Sequence, residues 1–216
     1  MNIGIIGSGN MGSSLGKIWA NNGHKVLFSY SRGDPEKLQA LAESAGPNAQ
    51  AGTPAQAVQF GEVVLLAVPW PALDDALQAA GSLESKVLIS CVSPLKPDFE
   101  GKTVGLTSEL KTSGAEEIAK RAPGARVVEA FNTTFAEILQ SPLRQFGQEQ
   151  ASIFYCGDDE EAKAIAARLI QESGFEAVDA GPLIKARSLE PLATIWVQLA
   201  AVTGMFPNVG IKVLRR

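Results

Sequence analysis

The chain opens with Met-Asn-Ile-Gly-Ile-Ile-Gly-Ser-Gly-Asn-Met-Gly, a short apolar run that feeds glycines at positions 7, 9 and 12. A helical pattern carrying Leu15, Ile18 and Trp19 follows at once. This order allows few folds: a buried strand, a tight turn, and a helix whose N-terminus faces whatever lies beyond the strand. Gly7 serves the turn, Gly9 lets the backbone approach a pyrophosphate, and Gly12 packs the helix against the strand. Unpaired N–H groups at the helix start, with about half a unit of positive charge from aligned peptide dipoles, bind a diphosphate without a cationic side chain. Gly7, Ser8, Gly9, Asn10, Met11 and Gly12 are therefore the expected phosphate-binding residues. Glycines in a turn can serve backbone needs alone. Here a second strand, Val26-Leu27-Phe28-Ser29-Tyr30, arrives at the distance that a dinucleotide-binding unit requires.

Apolar strand-like runs recur at 2–6, 25–30, 62–68, 86–91, 125–130, 152–156 and 175–179, with helical patterns between most of them. Continuous runs such as Val63-Val64-Leu65-Leu66-Ala67-Val68 belong to strands buried on both faces. The expected fold is α/β: a Rossmann-like, doubly wound, mainly parallel sheet with a small C-terminal extension ending in an apolar helix. Residues 1–140 are expected to form the NADP-binding domain. Residues 141–216 are expected to add a small α/β extension and a helix that closes the active-site cleft.

Asp34-Pro35-Glu36 and Thr53-Pro54 read as helix caps followed by proline at the first helical position. The quartet Asp158-Asp159-Glu160-Glu161 reads as charge at a helix N-terminus and not as a metal site. Residues 92–112, with Pro94, Pro97, Gly101 and Gly105, lack periodicity and read as a long irregular connection of the kind that carries function. From Ser188 to Thr203, Leu189, Leu192, Ile195, Trp196, Leu199 and Val202 make one apolar helix face. Trp196 reads as core, with ligand lining or subunit contact as the alternative.

Composition excludes several classes. Net charge is −4 with the basic residues scattered, so no basic stripe invites nucleic acid. The apolar runs fall far short of the roughly 20 residues a membrane helix needs, and Met1 leads straight into a strand, so a soluble cytoplasmic protein without a signal peptide is expected. Cys91 and Cys156 each end an apolar run without a partner motif and read as core thiols, Cys91 with a reactive role as its alternative. His24, the sole histidine, reads as structural, and no ligand cluster suggests a metal.

After the second strand, an NAD site usually presents a carboxylate to the ribose diol. This chain instead reads Ser29-Tyr30-Ser31-Arg32-Gly33-Asp34. Ser31 and Arg32 offer a hydroxyl and a guanidinium to a 2′-phosphate, and Lys37 adds charge one turn later, which favours NADP. If Asp34 faces the ribose instead, the preference relaxes toward NAD.

Three further motifs end strands: Ala67-Val68-Pro69-Trp70, Ser90-Cys91-Val92-Ser93-Pro94-Leu95 and Glu129-Ala130-Phe131-Asn132-Thr133-Thr134. In open α/β sheets the ligand crevice lies beyond the carboxyl ends of the strands, so these loops should surround the nicotinamide and its reaction partner. With them, the chain resembles the deazaflavin-dependent NADP oxidoreductases, which move hydride between NADP(H) and coenzyme F-420. The likeness extends to Cys156-Gly157-Asp158-Asp159, Asp179-Ala180-Gly181-Pro182-Leu183 and Gly210-Ile211-Lys212. It implies that the glycine turn, Ser31, Arg32 and Lys37 hold the NADP end, with Ala67, Val68 and Pro69 beside the nicotinamide. It also implies that Ser93 to Leu95 and residues from Asn132 onward line the deazaflavin pocket of a homodimer. Where those enzymes carry a histidine, this chain has Phe131-Asn132-Thr133, similar to the cytosolic domains of Steap-type ferric reductases, which pass electrons from NADPH to a flavin.

Hydride transfer between stacked rings asks the protein for alignment and little acid–base chemistry. Ser93 and Asn132 are accordingly expected as polar positioners, with turn-capping as the alternative use of both. The expected activity is transfer of hydride between NADPH and a deazaflavin or flavin acceptor. Two other readings stand beside it: a small β-hydroxyacid or pyrroline-carboxylate dehydrogenase, and a non-catalytic NADPH-sensing module.

Overall fold

The computed structural model describes residues 1–30, 33–97, 104–106 and 111–216. In chain order the strands are β1 (Asn2–Ile6), β2 (Lys25–Ser29), β3 (Ala49–Gly52), β4 (Val63–Leu66), β5 (Val87–Ser90), β6 (Leu95–Pro97), β7 (Val104–Leu106), β8 (Arg126–Ala130), β9 (Gln145–Phe146), β10 (Glu149–Gln150), β11 (Ser152–Gly157) and β12 (Glu176–Asp179). The α-helices are α1 (Asn10–Asn21), α2 (Pro35–Ser44), α3 (Pro54–Phe60), α4 (Leu73–Ala80), α5 (Gly114–Arg121), α6 (Ala136–Gln140), α7 (Glu160–Glu172) and α8 (Ala186–Thr203).

The main sheet has the order β12-β11-β8-β5-β4-β1-β2-β3. From β3 to β8 every neighbouring pair is parallel. The chain starts at β1, winds outward to β3, then returns past β1 to lay down β4, β5 and β8. The gap between the β1 and β4 connections is the switch point where such sheets bind ligands. β11 then joins antiparallel to β8, with Tyr155 opposite Ala130, and β12 pairs parallel to β11. The C-terminal strands thus continue the sheet of the N-terminal ones.

Both faces of this sheet are covered, which is why its central strands alternate no polar residues. Ile3, Ile5, Val63, Leu65 and Ile89 point into one buried layer with Leu15, Trp19 and Leu169. Ile6, Val64, Leu66 and Leu88 point into the other with Val58, Leu73 and Ile118. Two glycines let the helices approach. A Cβ on Gly4 would lie 2.1 Å from the Ala57 carbonyl oxygen of α3, and one on Gly16 would lie 2.3 Å from the Phe28 ring. Trp19 fastens α1 to α7, its Nε1 donating to Ser173 Oγ at 3.0 Å. His24 is buried between the Met1 amino group and Glu172, in the structural place read for it.

The helix starts follow the side chains that cap them. Asp34 accepts from the Glu36 amide, Thr53 and Gln56 form a reciprocal capping box, and Asp159 accepts from the Ala162 amide with Glu160 and Glu161 in the first turn. Several elements depart from the sequence expectations. β3, Ala-Gln-Ala-Gly, has no apolar run; it forms because β2 offers an open edge, where Val26 pairs with Ala49. The stretch 92–112, read as irregular, contains the antiparallel β6–β7 hairpin, and its residues 98–103 and 107–110 lie outside the described ones. β9 and β10 pair around Gly147, whose φ of +66° makes the turn. On α8, which begins at Ala186, Ile195 is half exposed, and the buried stripe runs instead through Leu189, Glu190, Ala193 and Trp196.

Replacing Gly16 by alanine forces a methyl into the Phe28 and Ile5 side chains. Overpacking of this kind costs about 1–3 kcal/mol. Urea denaturation of Gly16→Ala is expected to show a lower midpoint at unchanged slope.

Candidate functional site

At the end of β1 the chain makes the tight turn that the glycines predict. Gly7 has φ +95°, and a Cβ there would lie 2.4 Å from the Ala67 carbonyl oxygen, so the β1 and β4 loops touch. The turn is tied to β2: the Gly7 amide and Ser8 Oγ both donate to the Ser29 carbonyl at 3.1 Å, and Tyr30 Oη donates to the Ser8 carbonyl at 2.6 Å. A Cβ on Gly12 would lie 2.0 Å from the Gly7 carbonyl oxygen, which fixes how closely α1 follows the turn. A Cβ on Gly9 would meet nothing within 4 Å. Of the three motif glycines, Gly9 alone borders open space.

α1, like α4, α6 and α8, starts without a side-chain cap. α2, α3, α5 and α7 each begin with a side chain that accepts a first-turn amide. α1 begins at Gly9 with no side-chain cap and no acidic residue in its first turn. Its amides and the positive end of its dipole are left for an anion arriving from outside the helix.

Three cavities run along the carboxyl ends of the strands. The first, about 340 Å³, is bounded by Tyr30, Gly33, Asp34 and Leu38 with residues of β3 and α3. The second, about 410 Å³, is bounded by Gly7, Gly9, Tyr30, Ala67, Val68 and Pro69, with Asp75 at its edge. The third, about 260 Å³, lies among Met11, Val68, Pro69, Trp70, Cys91, Ser93, Phe131, Asn132 and Phe135, with Ala193 and Trp196 of α8 across from them. Tyr30 is shared by the first two, and Val68 and Pro69 by the last two. An elongated ligand with a polar middle and a flat end fits this order, and the uncapped amides of α1 stand beside its middle.

The structure thus brings together Gly7, Gly9, Met11, Ala67, Val68, Pro69, Ser93 and Asn132 from four separate loops. Ser8 is buried beneath them and Asn10 is exposed on the first turn of α1. Pro94 is not part of the cleft wall; it is buried next to Gly114 at the start of α5. Lys37 is exposed on the first turn of α2, near the first cavity but outside its wall. Asp34 caps α2, which accounts for one of its oxygens. Ser31 and Arg32 lie outside the described residues.

Cys91 lines the third cavity, yet burial pushes its thiol up to about 12, so it is no nucleophile at neutral pH. Cys156 is fully buried. Trp196 serves both readings made for it, since it is 6% exposed and also walls the cavity.

Two acids behind the third cavity escaped the sequence reading. Glu129 and Glu190 are both 0% exposed. Glu190 Oε1 accepts from the Ala115 amide at 3.2 Å, and Glu129 Oε1 accepts from Asn132 Nδ2 at 2.5 Å. Among the described residues, the second oxygen of each meets no partner, nor do Asn132 Oδ1, Thr133 Oγ1 and Trp196 Nε1. Burial, reinforced by the nearby Glu190, holds Glu129 well above the usual carboxylate range, and burial lifts Glu190 to about 7. Glu116, the residue after Ala115, is pulled the other way by a bidentate pair with Arg187 at 2.7 and 2.8 Å. A charged residue inside the apolar run Val127-Val128-Glu129-Ala130 was the available sequence signal for this pair.

The sign of the linkage follows. An acid whose value rises from 4.5 unfolded to about 7 folded stabilises the protein below the first value and loses that contribution as pH climbs through the second. Wild-type melting temperature is therefore expected to fall, relative to Glu190→Gln, between about pH 4.5 and 7. Thermal melts at the two ends of that window check it.

Among the described residues, no helix is long and apolar enough to cross a membrane, and no group of three or more His, Cys, Asp or Glu is placed to hold a metal. Residues 2–94 match the family model described as NADP oxidoreductase, coenzyme F420-dependent. The chain is 28% identical over 214 residues to the F420-dependent NADP reductase of Methanocaldococcus jannaschii, covering 92% of each protein. It is 30% identical over 190 residues to metalloreductase STEAP3 of Rattus norvegicus, covering 88% of this chain and 36% of that one, so it spans about a third of the metalloreductase. A crystal structure from Arthrobacter sp. FB24, provisionally named an F420-dependent NADP reductase, superposes with TM-score 0.86 at 28% identity over all of both chains. The likeness read from the sequence motifs is thus found in a family model, in two relatives and in a solved fold, and together these support an NADP-dependent oxidoreductase.

Proposed function

We propose that this chain, similar along its length to coenzyme F-420-dependent NADP reductases, transfers hydride between NADPH and a deazaflavin or flavin acceptor. The observation that carries the reading is the uncapped, acid-free N-terminus of α1 beside open space at Gly9, at the switch point of the sheet. That arrangement supports a diphosphate in the second cavity. The adenosine end then extends toward the first cavity, where Ser31, Arg32 and Lys37 follow β2 in sequence and would hold a 2′-phosphate. The nicotinamide end extends to Ala67, Val68 and Pro69.

NADPH supplies the hydride when bound. The protein's part is alignment and the exclusion of water. Trp70, Phe131, Phe135 and Trp196 give the third cavity flat apolar walls, and Ser93 and Asn132 supply the polar edge there. Holding donor and acceptor in contact geometry contributes about 7–11 kcal/mol through orientation alone. The Phe131-Asn132-Thr133 segment and the similarity to a metalloreductase support a flavin alongside a deazaflavin as acceptor. The homodimer implied by the resemblance has candidate contact residues in the half-exposed Ile184 and Ile195.

Stopped-flow oxidation of NADPH is expected with at least one of coenzyme F-420 and a free flavin; no turnover with either rejects the proposal. Gly9→Ala is expected to fold with a cost under about 1 kcal/mol while weakening NADPH binding tenfold or more, because the new methyl occupies the ligand's approach. Arg32→Ala is expected to cut the preference for NADPH over NADH by about 10–150-fold, the equivalent of one charge-assisted hydrogen bond of roughly 1.5–3 kcal/mol. Calorimetric titration with both nucleotides measures each.

A further inference from the structure

Glu129, the penultimate residue of β8, is fully buried, opposite Cys156 of β11 and beside Ser90 of β5. Among the described residues no cation forms an ion pair with it. Two residues later the backbone does something uncommon: Phe131, a buried aromatic, sits at φ +62°. A side chain in the left-handed region is strained, and such strain persists where surrounding packing over-determines it. Phe131 is held edge-on to Trp19 with ring centres 6.1 Å apart. The reversal at Phe131 turns the chain back so that Asn132 reaches Glu129 three residues earlier, Nδ2 donating to Oε1 at 2.5 Å.

The amide has one other hydrogen-bonding end. With Nδ2 committed to Glu129, Asn132 Oδ1 is left as a buried acceptor that meets no donor among the described residues, on a residue that walls the third cavity. A buried amide oxygen without a donor costs free energy and calls for an explanation, and an N–H of a bound ligand supplies one. Turn-capping does not account for this geometry, because the Asn132 side chain bonds a carboxyl and not a backbone amide.

We propose that Glu129 is a positioning residue: by holding Asn132 Nδ2 it reserves Oδ1 for the N–H of an amide or imide edge of the ligand in the third cavity. The inference rests on the redox reading above. Two sources carry that chemistry, the carboxamide of a nicotinamide and the imide edge of a deazaflavin or flavin ring. Glu129 touches neither, and acts through Asn132. Its burial, with Glu190 nearby on α8, holds its carboxyl well above the usual carboxylate range against the opposing pull of the Asn132 N–H. An ionised carboxylate there would place unpaired charge behind a cavity built for flat, largely neutral rings.

The test is a double-mutant cycle on the full chain, read by steady-state kinetics with NADPH and whichever acceptor the wild type reduces. Glu129→Met keeps the volume and removes the acceptor. Glu129→Gln keeps an oxygen where Oε1 stands. Asn132→Ala removes the amide. Glu129→Met is expected to raise one KM about tenfold with kcat changed less than about threefold, the loss of one placed hydrogen bond. Glu129→Gln is expected to stay within about twofold of wild type, and Glu129→Met to add less than about twofold in the Asn132→Ala background. A rise in the NADPH KM assigns the bond to the carboxamide, and a rise in the acceptor KM assigns it to the ring edge. Equal effects of Glu129→Met in both backgrounds, unchanged KM values, or a Gln variant as impaired as Met overturn the inference while leaving an active wild type to sustain the redox reading. A wild type that neither binds NADPH nor turns over removes both. Melting curves precede the kinetics, and Glu129→Leu replaces Met if the Met protein does not fold.

Discussion

Everything in this structure that bears on a ligand depends on how α1 leaves β1. The turn at Gly7 is pressed against the β4 loop and bonded to the end of β2, so the first amides of α1 have one position relative to three strands. No side chain among the described residues caps those amides, whereas α2, α3, α5 and α7 are each capped by a side chain. With Gly9 at the N-cap, the missing side-chain cap forgoes only about a few tenths of a kcal/mol. A rigid mount makes that omission useful, because donors fixed before binding need no ordering when an anion arrives.

The two ends of the cleft solve different problems. Around the glycine turn the chain offers backbone donors and the field of a helix, suited to phosphate charge. Beyond Val68 and Pro69 it offers aromatic walls, a protonated thiol and two buried acids whose surroundings favour their neutral forms. Charge is welcomed at one end and suppressed at the other. In a low-dielectric chamber any fixed charge near a reacting ring perturbs its energetics strongly, so a wall of this kind suits the ring-to-ring transfer proposed above. α8 contributes to this on its buried stripe, where Glu190 and Trp196 sit about a turn and a half apart on the helix.

Much of this was legible in the residues. The continuous Val and Leu runs announced a parallel sheet covered on both faces, and the caps at Asp34 and Thr53 and the acidic quartet from Asp158 to Glu161 announced helix starts that the structure bears out. The cleft-facing positions Val68, Pro69, Ser93 and Asn132 were readable because loops at strand ends converge in an open α/β sheet. β3 was not readable, since Ala-Gln-Ala-Gly has no strand preference of its own and takes its form from the free edge of β2. Ile195 was misassigned because a spacing of three and four is satisfied by two neighbouring stripes of α8. Only the packed sheet decides between them, and it chose the stripe carrying Glu190. Pro94 belonged to a motif whose neighbouring serine faces the cleft, yet it turns to α5, a side that sequence adjacency cannot reveal.

Glu129 is the sharper case, because the signal was present and points past itself. A carboxyl in the middle of an apolar strand is destabilising wherever an apolar residue of similar volume would fit, and replacing buried ionic groups by such residues often stabilises a fold. Its retention beside a strained Phe131 and a half-satisfied Asn132 therefore places three costs on one tight turn. Independent defects have no reason to gather. Costs that converge on one side chain do gather when that side chain has a ligand to meet. Asn132 is held from behind by an acid, forced into reach by the backbone, and left with a buried acceptor that meets no donor among the described residues, on a residue that lines the cavity. The same clustering of local penalties at a convergence of loops is what distinguishes a working site from a loosely packed crevice.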